Sequence, residues 1–307
     1  MDVHPVLVNW IADFLSGRMQ RTRVGQFFSD WKHVNSGVPQ GTKLGPLLFL
    51  IMVNDLRNSP NLVKYVDDTT VWEVLSKNSS SNFPAIVDEC ADWASANNMK
   101  LNESKTKELQ VCFSSQPVTH PAITINNVPV DIVKHAKLLG VTISSDLKWN
   151  LHIDNICKKA SKKLYALRLL RRNGIPTSTL LSVYCTCIRP TLEYACEVWH
   201  GSLQSYLNDQ IEAVQKRALR IIYSNLSYKD AMVTANIDTL EARRVSLCAR
   251  LFRNMTCPSH KIHSLLPQRR SLDYSLRRTR TFSIPKFRTE RFRKSFIPSR
   301  ATYFDIL

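Results

Sequence analysis

The stretch Lys64-Tyr65-Val66-Asp67-Asp68-Thr69-Thr70 restricts the fold more than any other part of this 307-residue chain. It lies between two short β-rich runs, Leu62 to Val66 and Thr69 to Leu75. Adjacent residues of a strand point to opposite faces, so consecutive carboxylates share a site only at a tight turn between antiparallel strands. Two readings of such a turn stay open. Asp is a favoured turn residue, and the pair can simply be solvated. Alternatively, two carboxylates are hard ligands of the kind Mg²⁺ prefers, and nucleotidyl transfer uses two divalent ions about 4 Å apart.

Around this pair the first half of the chain alternates element types. Val6, Trp10, Ile11 and Phe14 recur at helical spacing between Pro5 and Ser16, with Gly17 placed to stop the helix. Gln20 to Trp31 reads as a hairpin about Gly25. The apolar run Leu44 to Val53 reads as a buried helix with Pro46 in its first turn, and Phe83 to Asn97 as an amphipathic helix burying Ile86, Cys90, Trp93 and Ala94. Strands are expected at Glu108 to Phe113, Ile123 to Ile132 and Leu138 to Ile143. The fold class is α+β, an antiparallel sheet with helices on one face.

From Trp149 onward the periodicity becomes helical. Ile153, Ile156, Ala160, Leu164 and Leu167 form one stripe of a helix over Leu151 to Arg172, with Lys158, Lys159, Lys162 and Lys163 off it. Further helices are expected from Pro176 to Arg189-Pro190, from Leu203 to Tyr223 and from Thr239 to Arg253. Beyond Pro267 aromatics are scattered among arginines with little period, and a loosely ordered tail is expected. The resulting division is 1–148, 149–266 and 267–307.

Charge follows that division. Residues 1–150 hold 14 Lys or Arg against 14 Asp or Glu, whereas residues 151–307 hold 28 against 11. The whole net charge of +17 therefore lies in the second half, a field that attracts polyanions with salt-sensitive phosphate contacts. No apolar run reaches the roughly 18 residues of a membrane span. The opening Met1-Asp2-Val3-His4-Pro5 lacks a secretory pattern, so an intracellular protein without a membrane partner is expected. The eight cysteines show no repeated Cys-x-x-Cys pair, which points to reduced, mostly buried thiols. Cys257, His260 and His263 read as a surface turn rather than a zinc site.

Upstream of the Asp pair stands Ser36-Gly37-Val38-Pro39-Gln40-Gly41-Thr42-Lys43-Leu44-Gly45-Pro46, running into Asn54-Asp55-Leu56. Its glycines allow close backbone approach to a ligand, Pro39 stiffens the loop, and Gln40 can both donate and accept hydrogen bonds. At this spacing from Tyr65-Val66-Asp67-Asp68 the loop resembles the second palm motif of reverse transcriptases, in the version of the jockey-like non-LTR retrotransposons. Asn98 to Lys107 resembles the family's helix-to-strand segment, Lys137 to Ile143 its primer-grip hairpin, and the text from Trp149 through Arg189-Pro190-Thr191-Leu192-Glu193-Tyr194-Ala195 its thumb and the region after it.

The resemblance implies a partial palm at 1–148, a helical thumb region at 149–266 and RNA-directed DNA polymerase activity. Asp67 and Asp68 would ligate two Mg²⁺ ions, with Mn²⁺ as a substitute, and Lys105 would protonate the departing pyrophosphate. Gly37, Pro39, Gln40, Gly41, Tyr65 and Val66 would meet nucleotide and template. Leu139, Gly140 and Val141 would grip the primer, and Lys158, Lys159, Lys162 and Lys163 would touch the nucleic-acid backbone. The implied partners are an RNA template, a DNA primer and deoxynucleoside triphosphates, in a ribonucleoprotein of cytoplasm and nucleus. Oligomeric state is not readable. The family's first palm motif, a strand bearing another metal-binding aspartate, has no counterpart: Asp2, Asp13 and Asp30 lack a hydrophobic strand context. The expectation is a fragment that starts within the palm and does not polymerise alone. The alternatives are a catalytically dead nucleic-acid-binding relic and a group II intron maturase-like protein.

Overall fold

The computed structural model describes residues 3–56, 61–76, 79–113, 121–270, 281–284 and 286–304. Small two-stranded sheets occupy the first ~145 residues and a mainly helical region follows. The chain divides into two compact units, Met1–Glu108 with Ser114–Asp131, and Leu109–Phe113 with Ile132–Leu307.

In the first unit, α1 (Pro5–Leu15) begins where the His4 imidazole accepts the Val6 N–H at 3.3 Å and ends at Ser16 and Gly17, the latter at φ +61°. β1 (Met19–Gln20) pairs with β4 (Lys32–His33), and β2 (Arg23–Val24) with β3 (Phe27–Phe28), a hairpin turning at Gly25 as its sequence suggests. α2 (Leu44–Asn54) follows, then the antiparallel pair β5 (Leu62–Tyr65) and β6 (Asp68–Val71). α3 (Phe83–Ala96) buries Ile86, Val87, Cys90 and Ala94, while Trp93 is half-buried. After β7 (Lys107–Glu108) come β8 (Thr124–Ile125) and β9 (Val128–Pro129), then β10 (Asp131–Ile132). The core here is small: Val87, Ile123, Ile125 and Val130, with Phe83 and Leu101 packed on it.

Two expectations change in this half. α2 is not a buried helix: only Gly45 and Val53 are buried, and Leu47 and Leu50 are 53% and 51% exposed. Its apolar residues run round the whole helix, whereas only one face is covered. The long strand expected at Ile123 to Ile132 is instead a hairpin, and so is Leu138 to Ile143, which periodicity reads as a strand and the resemblance as part of a hairpin. Asn126-Asn127 and Leu139-Gly140 take positive φ and reverse the chain, giving β11 (His135–Leu138) and β12 (Val141–Ser144) in the second case. Glu108 to Phe113 is a strand only at Glu108.

The second unit is built on α4 (Asn150–Arg172), whose Ile153, Ala160, Leu164 and Leu167 are wholly buried. α5 (Thr177–Val183) passes through a π turn at Tyr184–Ile188 into α6 (Arg189–Glu193). The helix thus continues past Pro190, where a stop was expected, because the wider turn precedes the residue that lacks an N–H. α7 (Cys196–Trp199), α8 (Ser205–Ile222), α9 (Tyr228–Ala235) and α10 (Leu240–Met255) complete the bundle, with α8 packed along α4. Buried polar groups are tied together. Tyr184 Oη donates to Gln215 Oε1 at 2.5 Å, Gln215 Nε2 donates to Tyr228 Oη and Asp238 O, both at 3.0 Å, and Tyr228 Oη donates to Glu212. Arg244, fully buried on α10, donates to Asn208 Oδ1 at 2.8 Å and lies over the Trp199 ring. Burial, then Arg244 and Arg300, push His200 down to about 4, so it is neutral beside the guanidinium.

The loosely ordered tail does not hold for residues 281–284 and 286–304; residues 271–280 and 285 lie outside the described residues. α11 (Glu290–Lys294) and α12 (Phe296–Tyr303) are formed, and Phe282, Phe296 and Phe304 pack edge-on or tilted against Phe252. Gly201 meets the Lys294 carbonyl so closely that a Cβ has no room. Aromatic residues too irregular for a helical period thus dock as single anchors. No described helix is long and apolar enough to cross a membrane. All eight cysteines are free; Cys90, Cys157, Cys196 and Cys248 are buried, whereas Cys112, Cys187 and Cys257 are exposed.

Truncation after Pro267 should therefore lower the melting temperature and expose dye-binding apolar surface, by roughly 3 kcal/mol or more, the scale of uncovering one buried aromatic. Gly201→Ala should act the same way in the full-length chain. Melting unchanged in both variants would contradict the docking.

Candidate functional site

The carboxylate pair sits where the sequence demands. Tyr65 pairs with Asp68 and Lys64 with Thr69, leaving Val66-Asp67 as a two-residue turn. Val66 takes φ +55°, a left-handed conformation that a β-branched side chain rarely adopts and that costs about 1–2 kcal/mol. Asp67 and Asp68 are exposed, and neither carboxylate has a hydrogen-bond or ion-pair partner among the described residues. Two adjacent, unneutralised carboxylates repel one another and suit a hard divalent cation. Among the described residues no group of three or more His, Cys, Asp or Glu could hold a metal ion, so this donor set contributes two carboxylates and no third.

Lys64 anchors the hairpin. Its ammonium donates to Leu56 O at 2.8 Å and Val53 O at 3.1 Å, carbonyls at and just beyond the end of α2. A cation at that end also complements the helix dipole. Glu73, just beyond β6, accepts Ser81 Oγ at 2.6 Å and the Asn82 N–H at 3.0 Å at the start of α3. The turn is thus held between the end of one helix and the start of the next.

The loop before α2 is fixed separately. Arg18 donates to Gly37 O at 2.7 Å and Ser36 O at 3.2 Å, and Thr42 Oγ1 donates to Pro39 O at 2.9 Å while accepting the Gly45 N–H at 3.1 Å. Gly37 and Gly41 lie at φ +70° and +80° with open space where a Cβ would stand, so they serve the conformation of the loop. At Gly45 a Cβ would lie 3.1 Å from Pro39 O and Thr42 Oγ1; close packing singles out this glycine. Gln40 is exposed, Pro39 half-buried, and Tyr65 and Val66 are 61% and 46% exposed. No described contact joins Gln40 to either carboxylate. Lys105 is exposed in the turn after α3, where its N–H donates to Asn102 O at 3.2 Å, and no described contact brings it to Asp67 or Asp68.

In the second unit Leu139 and Gly140 form an exposed turn, whereas Val141 belongs to the core and cannot offer its side chain to a ligand. Lys158, Lys159 and Lys162 are exposed on α4 together with Tyr165 and Arg168. Arg217 on α8 joins them, donating to Ser161 Oγ at 3.0 Å. Lys163 departs from the expected polar face. Its ammonium donates to Cys187 O at 2.6 Å and Thr191 Oγ1 at 2.8 Å, closing the π turn. Sequence periodicity pointed to none of Lys64, Glu73, Arg18 or the strain at Val66; the Lys64 position three residues before the Asp pair was the available signal.

Residues 1–143 match the model of the family described as reverse transcriptase (RNA-dependent DNA polymerase). A short second match, to alkylated DNA repair protein alkB homolog 8, N-terminal, covers residues 149–189. The chain is 27% identical over 223 residues to the probable RNA-directed DNA polymerase from transposon X-element of Drosophila melanogaster, covering 69% of this chain and 24% of the relative. It is 28% identical over 232 residues to the corresponding protein from transposon BS, covering 69% and 25%. Against the RNA-directed DNA polymerase from mobile element jockey of the same species it is 27% identical over 235 residues, covering 71% and 25%. The chain therefore spans about a quarter of the length of these relatives. No solved structure matches.

Because Val66 carries left-handed backbone and little packing, Val66→Gly should raise stability by about 1 kcal/mol, the strain removed less the entropy glycine loses. Denaturant unfolding measures it; a loss of stability would show that the valine side chain holds the turn.

Proposed function

We propose, from the premise that residues 1–143 belong to the reverse transcriptase family, that this chain supplies palm and thumb elements of an RNA-directed DNA polymerase of the non-LTR retrotransposon type. The observation that carries the reading is the turn at Asp67-Asp68, two exposed carboxylates without a partner among the described residues, on a hairpin clamped by Lys64. Asp67 and Asp68 are the residues that would hold Mg²⁺ or Mn²⁺. Bound divalent ions supply activation of a primer hydroxyl and stabilisation of the leaving oxygen. The chain's own contribution is position. The hairpin holds both carboxylates at one place without charge compensation from any described residue.

The loop Gly37 to Gly41 faces nucleotide and template in this reading, with Gln40 as the free hydrogen-bonding side chain and Tyr65 and Val66 beside the carboxylates. Lys105 is the candidate proton donor to pyrophosphate. The strand pairs around these elements are parts of a palm sheet carrying helices on one face, with the boundary to the thumb near residue 148. Leu139 and Gly140 lie against the primer, and the α4 face of Lys158, Lys159 and Lys162 follows the template–primer backbone. The substrates are an RNA template, a DNA primer and deoxynucleoside triphosphates.

A second reading, a nucleic-acid-binding protein that does not polymerise, is favoured by the donor set of two carboxylates among the described residues, since a two-metal centre with too few carboxylates loses coordination and charge balance. Primer extension by the chain joined to the palm and fingers of a jockey-type relative separates the two: extension supports the first reading, and none the second.

Asp67→Asn, tested in this chain joined to the remaining palm and fingers of a jockey-type relative, should abolish primer extension in Mg²⁺. Extension at near the parent rate would remove Asp67 from its role. For the backbone track, Lys158, Lys159 and Lys162 changed together to Ala should weaken duplex binding and reduce its salt slope by roughly 2 to 3 units, at about 0.7 to 0.9 per contact. Adding Lys163→Ala should lower stability rather than the slope. An unchanged slope in the triple variant would mean that the face is merely solvated.

A further inference from the structure

The turn between β11 and β12 is braced from outside its own ribbon. Leu138 pairs with Val141, so Leu139 and Gly140 alone reverse the chain, at φ +46° and +89°. Two central residues at positive φ are the geometry for which Asn-Gly is the favoured pair, and leucine in the first position is strained. Strain of this kind persists where the surroundings over-determine it, and it gathers at functional sites.

Here one side chain braces the turn itself. Tyr194 Oη donates to Leu139 O at 2.9 Å, and its ring stands where a Cβ on Gly140 would reach, 3.2 Å from Cε1. The glycine therefore makes room for the tyrosine as well as supplying the positive φ. Tyr194 is itself fixed from behind. Its carbonyl accepts the indole N–H of the wholly buried Trp199 at 3.1 Å, and the next residue, Ala195, turns the chain at φ +50° into α7. On the other side of the turn the ribbon is sewn to α4. The Thr142 N–H donates to His152 Nδ1 at 3.2 Å, and Asn155 Nδ2 donates to Thr142 Oγ1 at 3.4 Å. Burial holds the His152 imidazole below its ordinary value, which keeps that acceptor available. A turn this firmly held nevertheless leaves Leu139 42% exposed, and the Tyr194 side of it open to a ligand.

We propose that Tyr194 is a positioning residue that holds the Leu139-Gly140 backbone in place for contact with the 3′ end of a primer strand. This rests on the reading of that turn given under the proposed function. Tyr194 does not act on the reacting atoms; it sets where the turn's backbone amides and carbonyls stand.

The test uses the full chain, a duplex with a recessed 3′ end and a blunt duplex of the same length, together with hydrogen exchange over residues 135–144 and thermal melting. Tyr194→Phe should speed exchange in the turn and weaken recessed-end binding about five-fold, the factor that follows from one neutral hydrogen bond, with blunt-duplex binding unchanged. Tyr194→Ala should lose more, and Gly140→Ala should weaken recessed-end binding as well. If Tyr194→Phe lowers melting and weakens both duplexes alike, the tyrosine is a structural residue only and the proposal is overturned. If Gly140→Ala weakens recessed-end binding while Tyr194→Phe does not, the brace is wrong and the primer reading stands. If neither substitution alters the preference for the recessed end, the primer reading fails and takes the proposal with it.

Discussion

Neighbouring carboxylates share one edge of a β-ribbon only where the chain reverses, and in this protein the reversal is secured by a lysine on the end of a helix. Lys64 carries its charge to carbonyls at and just beyond the end of α2, so the strand leading to Asp67 cannot shift its register without separating the ammonium from them. Glu73 does the equivalent for the outgoing strand at α3. Charges of opposite sign on either side of the hairpin are thus consumed by helix ends, and the two aspartates between them are left free. That division of labour suits the turn to a cation, because no side chain among the described residues competes for the carboxylates.

The helical unit follows a different logic. Its buried polar groups form a connected set in which Glu212 receives Tyr228 and the Leu240 N–H, and Gln215 links Tyr184, Tyr228 and the Asp238 carbonyl. A set of this kind is stable only when complete, since each missing partner leaves a desolvated group. It fixes how α5, α8, α9 and α10 meet, and therefore where the exposed lysines of α4 and the turn of β11 and β12 are presented. The basic surplus of the second half is laid over this frame. Part of it is structural, as Arg244 and Lys163 illustrate, and only the remainder is available to a polyanion.

Much of this was legible in residue order. The hairpin at Asp67-Asp68 followed from strand alternation, and α3, α4, α8 and α10 from periodicity, because each buries one continuous stripe; α1 followed from the same periodicity although none of its residues is buried. The failures share a cause. Periodicity cannot see a partner distant in sequence, so it missed the burial of Arg244, the use of Lys163 in closing a π turn and the anchoring of Phe282 and Phe296 on Phe252. It also overestimated the burial of α2, whose greasy sequence states how apolar the helix is but not how much of it is covered. The turn at Asn126-Asn127 was hidden inside strand-like composition, where only backbone conformation separates one strand from two; composition hid the reversal at Leu139-Gly140 as well, and only the resemblance to a hairpin pointed to it. The family resemblance named the loop and the Asp pair, whereas the residues that hold them, Arg18, Thr42, Lys64 and Glu73, emerged from the structure.

In the proposed function the Asp67-Asp68 turn is where this chain receives a divalent ion. Paramagnetic broadening by Mn²⁺ reads that directly on the chain as it stands, independently of catalysis. The prediction is selective loss of amide signal from Tyr65 through Thr69 at low Mn²⁺, competed by Mg²⁺ and abolished by Asp67→Asn. Broadening that falls elsewhere, or that survives Asp67→Asn unchanged, would contradict it.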